Sequence, residues 1–94
     1  MSIINLKFKN TIVALAGNPY GRKVFNEQVK PNLNETDDSI TIVIPHQISY
    51  VTSSFIQGFF DFWLRTIGYN EIKKKIIIQT SNERVKNYIW NNIN

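Results

Sequence analysis

No cysteine occurs in the chain, which excludes a disulfide framework, a thiolate metal site and a cysteine nucleophile together. The fold must rest on packing alone. Histidine occurs once, at His46, and a single imidazole among scattered carboxylates lacks the spacing of a metal-ligand set. No serine stands in a G-x-S-x-G elbow, and the acids that could orient a Ser–His pair, Asp37 and Asp38, lie in a polar stretch. The sequence is therefore read as a non-enzyme without cofactor or metal. Long apolar runs are missing as well: Met1 to Lys9 alternates apolar and polar residues and carries lysines, unlike a signal peptide or a membrane span. A cytoplasmic protein is expected, with no membrane partner. Repeats, linkers and low-complexity segments are also absent.

What is present is a chain of 94 residues, 43% hydrophobic, with six Phe, four Tyr and two Trp. That length supports one core, since a chain of this size buries only roughly 60–65% of its unfolded surface. Residues 1–94 are taken as a single domain. The net charge of +4 permits an acidic partner, although the abundance of Ile, Asn and Lys also fits an AT-rich coding bias.

Ile3 to Phe8 and Thr11 to Leu15 are β-prone runs, and Lys9-Asn10 between them predicts a hairpin. Gly17 to Gly21 is rich in turn formers, and a short helix from about Gly21 would bury Val24, Phe25 and Val29 before Pro31. Asn32 to Ser39 is polar and acidic, with Glu35, Asp37 and Asp38. Ile40 to Ile44 is β-branched throughout, as in a central strand, and Pro45 ends it. A corner, Tyr50 to Phe55, then leads into the longest amphipathic helix, closed near Ile67 by Gly68 as an αL cap. Lys73-Lys74-Lys75 enter a last strand at Ile76, and Thr80-x-x-Glu83 reads as a capping box for a helix burying Val85, Ile89 and Ile93. The order β-β-α-β-α-β-α predicts an α/β fold: a single four-stranded mixed sheet with three helices mainly on one face.

The run from Gly21 to Phe60, with the spaced Phe25, Val29, Pro31 and Leu33, the buried strand and the corner Ser53-Ser54-Phe55, resembles the STAS-like domains, relatives of the bacterial anti-sigma-factor antagonists. In the antagonists the corner reads Asp-Ser-Ser-Gly, and a partner kinase of the histidine-kinase ATPase type phosphorylates the second serine. That serine falls on Ser54, beside Ser53. Thr52 stands where the acid would be and Phe55 where the glycine would be, and Ile44 or Pro45 replaces an acid at the end of the strand. The resemblance implies a regulatory module whose partner is an ATPase-type serine kinase or an anti-sigma-like factor.

Two capping registers compete at the corner. With Ser54 as N-cap, Gln57 completes an S-x-x-Q box. With Thr52 as N-cap, Val51 and Ile56 form a hydrophobic staple and both serines keep spare hydroxyls. The helix that follows carries too many apolar residues for one stripe, so Thr52, Phe55, Ile56, Phe59, Phe62 and Trp63 are candidates for binding a partner protein or a second copy in a homodimer. An alternative is a nucleic-acid accessory role for Lys73, Lys74, Lys75 and Arg84, with Tyr69 stacking on a base.

Overall fold

Two strand–turn–strand segments run side by side in the same direction and frame the molecule. The structure is a computed structural model that describes residues 1–34 and 36–93. Strand β1 (Ser2–Asn5) pairs in parallel with β3 (Ile40–Val43). Strand β2 (Ala14–Leu15) pairs in parallel with β4 (Tyr50–Val51). A turn interrupts each segment, closed by the Ile12 N–H donating to the Lys9 carbonyl at 2.9 Å and the Ile48 N–H donating to the Pro45 carbonyl at 3.1 Å. Gln47 ties the turns together, its Nε2 donating to the carbonyls of Lys9 at 2.9 Å and Ile12 at 3.3 Å. Strand β5 (Ile76–Gln79) lies parallel to β3 on its other side, completing a three-stranded sheet in the order β1-β3-β5.

This arrangement overturns the expected single four-stranded mixed sheet with three helices. Among the described residues there are two small sheets, three-stranded and two-stranded, with every pairing parallel. The Lys9-Asn10 hairpin does not form. Its two-residue turn would need positive φ, and no described non-glycine residue has it. Of the run from Thr11 to Leu15 only the last two residues are strand, and they pair with β4 rather than β1. A fourth helix, α3 (Gly68–Lys75), occupies the stretch expected to lead directly into β5. It buries one side chain, Ile72, so the sequence shows no apolar periodicity there.

Helix α1 (Asn18–Val24) begins before the expected Gly21 because Pro19 falls in its first turn, where the missing N–H costs nothing. It continues through a π-helical turn (Phe25–Val29) and a 3-10 turn (Lys30–Asn32) containing Pro31. Val24, Phe25 and Val29 are all buried. Helix α2 (Ser53–Thr66) ends at Ile67, followed by Gly68 with φ 83°. Helix α4 (Glu83–Asn91) is capped by Asn82, whose Oδ1 accepts from Arg84 and Val85 N–H at 3.0 and 3.2 Å. The cap thus lies two residues beyond Thr80. Of the acidic stretch before β3, Glu35 lies outside the described residues.

The helices bury the face of the three-stranded sheet that carries Ile4, Ile40, Ile42, Ile76 and Ile78. On the other face Ile3 and Ile77 stand 61% and 45% exposed, flanking Thr41. Helices α1 and α2 run in the same direction, matching Tyr20 to Phe55, Arg22 to Asp61 and Phe25 to Trp63 in order. Phe25 packs edge-on against Phe59 and Trp63, with ring centroids 5.8 and 5.0 Å away. Such pairs add about 0.5–1.5 kcal/mol each beyond burial.

Candidate functional site at the Ser53–Ser54 corner

Strand β4 delivers the chain to the corner, and Thr52 has the extended backbone of an N-cap. Its Oγ1 accepts from the Phe55 N–H at 3.1 Å, capping α2, and from the Gly17 N–H at 3.3 Å. Gly17 is itself the N-cap residue of α1 and has no side chain to cap with. One hydroxyl therefore joins the starts of two helices. A threonine hydroxyl has two lone pairs and one proton; with both pairs occupied, its O–H donates to Ser54 Oγ, 3.2 Å away.

The Thr52 register is the one adopted. Val51 and Ile56 are buried, as the staple requires, and Ser53 and Ser54 are exposed in the first turn of α2. Ser54 does not cap the helix. Gln57, the other half of the expected box, is turned to α4 instead, donating to the carbonyls of Asn92 at 2.6 Å and Ile93 at 3.2 Å.

Most of the α2 residues nominated for a partner are not on the surface. Phe55, Ile56, Phe59 and Trp63 are buried, and Thr52 and Phe62 are half-buried. The broad apolar set of α2 is covered by the sheet on one flank and by α1 with its π-helical turn on another, through Tyr20 and Phe25. Exposed aromatics occur beside β4 instead. A groove of about 120 Å³ there is lined by Ser49, Tyr50, Val51, Arg84, Val85 and Tyr88, with Tyr50 58% and Tyr88 40% exposed. Neither tyrosine was nominated from the sequence, because an exposed tyrosine has no periodic signature.

The basic residues do not converge. Lys73, Lys74 and Lys75 form the last turn of α3, where they favour the negative end of the helix dipole. Lys74 pairs with Glu71 at 3.4 Å, and Lys73 lies over the Tyr69 ring at 5.4 Å. Arg84 sits in the first turn of α4, beyond the far end of β5, whose four residues span roughly 13 Å. His46 is exposed in the Pro45–Ile48 turn and makes no hydrogen bond to either serine. The void beneath the corner, lined by Leu6, Leu15, Phe55 and Phe60 among others, measures about 20 Å³, room for a single water at most.

Compared with protein-family models, curated proteins and solved structures, the chain matches none of them.

Proposed function

We propose that this domain is a non-enzymatic regulatory module that binds another protein at the Ser53–Ser54 corner and the adjoining Tyr50–Arg84–Tyr88 groove, with Ser54 as phosphoacceptor. The observation that carries this reading is the division of labour at the corner. Thr52 supplies the cap of α2, so Ser53 and Ser54 are exposed hydroxyls that accept no helix N–H, Ser54 touching the cap only through the Thr52 hydroxyl. The resemblance to STAS-like domains gives Ser54 its role and an ATPase-type serine kinase or anti-sigma-like factor as the partner class.

Physical chemistry supports such a switch. A helix N-terminus favours an added anion by roughly 0.3–1 kcal/mol. Phosphate on Ser54 would thus change the docking surface without unfolding the domain. Tyrosine and arginine, exposed in the groove beside Ser49, are among the side chains most often found at the energetic centres of interfaces.

The test recovers tagged wild-type protein and a Ser53→Asp, Ser54→Asp double variant from cells, identifying captured proteins and phosphosites by mass spectrometry. A defined protein retained by wild type and lost from the variant, with phosphate on Ser54, is the expected result. Capture of nucleic acid in its place, or no partner and an unmodified Ser54, would overturn the reading.

A further inference from the structure

Gln28 holds a side-chain amide against the outer edge of β1. Its Oε1 accepts from the Lys7 N–H at 2.7 Å and its Nε2 donates to the Lys7 carbonyl at 2.8 Å. These are the two bonds that one residue of an antiparallel strand would make to Lys7. Gln28 belongs to the π-helical turn, an uncommon winding that recurs at functional places.

The Lys7 rung is one of three. Ser2 and Leu6 direct their N–H groups inward, to the carbonyls of Ser39 and Val43. By the alternation of a strand, Ile3, Asn5 and Lys7 direct theirs outward. Gln28 fills the third rung; those of Ile3 and Asn5 have no partner among the described residues. A groove of about 560 Å³ runs along them, past Glu27 and Asn32.

We propose that the β1 edge binds an extended peptide strand of a partner protein, antiparallel to β1, which takes the Ile3 and Asn5 rungs and abuts the Gln28 amide. The Gln28 contact already shows what this edge accepts: a planar amide presenting donor and acceptor together. Strand addition of this kind draws affinity from main-chain bonds and specificity from alternate side chains. The residue opposite Ile3 shares the open sheet face, where Ile3 is 61% exposed, and is apolar. Its predecessor, opposite Ile4, turns to the helical side beside Glu27 and is basic. The residue before that, opposite Asn5, is polar. Read from N to C, the bound segment is polar–basic–apolar.

The test titrates isotope-labelled protein with acetyl-Thr-Thr-Lys-Val-Thr-amide, and with the same peptide N-methylated at valine, which removes the donor to the Ile3 carbonyl. The first peptide is expected to give saturable amide shifts at Ile3 and Asn5 and to slow their hydrogen exchange about tenfold. The methylated peptide is expected to do neither. Asn5→Pro, which deletes an outward N–H at an edge where proline is tolerated, is expected to abolish binding while the β3 and β5 amide signals keep their positions. If that variant does not fold, the methylated peptide decides alone. Equal response to both peptides, no response, or a response confined to Ile76 and Ile78, the outward rungs of the β5 edge, overturns the proposal. So does a dimer whose Ile3 and Asn5 amides are protected without peptide, because a second copy would then hold the edge.

Discussion

Gly21 and Gly58 face each other across the closest approach of α1 and α2. A β-carbon on Gly21 would stand 2.8 Å from the Phe59 nitrogen, and one on Gly58 2.9 Å from the Asn18 carbonyl carbon. Both obstacles are backbone, which cannot swing aside as a side chain can. Alanine would gain about 1 kcal/mol in helix propensity against an overpacking cost of about 1–3 kcal/mol or more. Gly58→Ala is therefore expected to lower stability by about 2 kcal/mol in chemical denaturation. An unchanged midpoint would show that the helices can part without cost.

The shared cap at Thr52 separates structural from functional hydroxyls. Thr52→Ala removes the acceptor for Phe55 and Gly17 and should cost about 1–2 kcal/mol, whereas Thr52→Ser should stay within about 0.5 kcal/mol. Ser53→Ala and Ser54→Ala should each fall within about 0.5 kcal/mol of wild type, as exposed sites do. A Ser54→Ala loss as large as that of Thr52→Ala would make Ser54 part of the cap.

Gln57 fastens the end of α4 to α2 through the Asn92 and Ile93 carbonyls. Gln57→Ala should cost about 1 kcal/mol. Hydrogen exchange should quicken in the last turn of α4 while the middle of α2 is unaffected. Uniform quickening would mean that the two ends unfold only together.

Acid should loosen the start of β1. The Ser2 hydroxyl donates to Asp37 and, with the Met1 ammonium 3.2 Å from its Oδ1, holds the Asp37 carboxyl below the usual carboxylate range against the opposing effect of burial. A lowered folded-state pKa means that the ionised form is favoured by folding. Its contribution is complete above the unfolded value, about 3.9, and is lost as pH falls through the folded one. Asp37→Asn should flatten the acid limb of the stability profile. An unaltered limb would assign acid sensitivity to other groups.

What the sequence discloses follows the length of each pattern. The β-branched run Ile40 to Ile44 and the buried triplet Val85, Ile89, Ile93 rest on several residues in phase, and Gly68 on the left-handed backbone that glycine favours. Strand β4 has two residues and α3 one buried side chain, too few to set a period. The parallel course of β1 and β2 was hidden for another reason. It depends on Gln47 and on partners some 36 positions away, which no local window contains. At the corner, the choice of Thr52 over Ser54 turned on the Gly17 amide, also remote in sequence. Gln28 carried no sequence signal at all, because its role depends on the π-helical turn.

The parallel pairings also govern how the chain can reach its fold. Ser2 meets Ile40, Ala14 meets Tyr50 and Ile40 meets Ile76, so each strand contact closes a loop of 36 or 38 residues. No hairpin among the described residues offers a shorter first step. Closing such a loop costs roughly 3 kcal/mol in chain entropy before any ladder bond repays it, and topologies built on distant contacts fold slowly. The sheet therefore cannot nucleate itself. The aromatic contact of Phe25 with Phe59 and Trp63 spans 34 and 38 positions and carries the same closure cost, so only the helices offer local contacts. On a ribosome no pair of strands can begin to form until β3 has left the tunnel. The nascent first half waits unpaired for its partner.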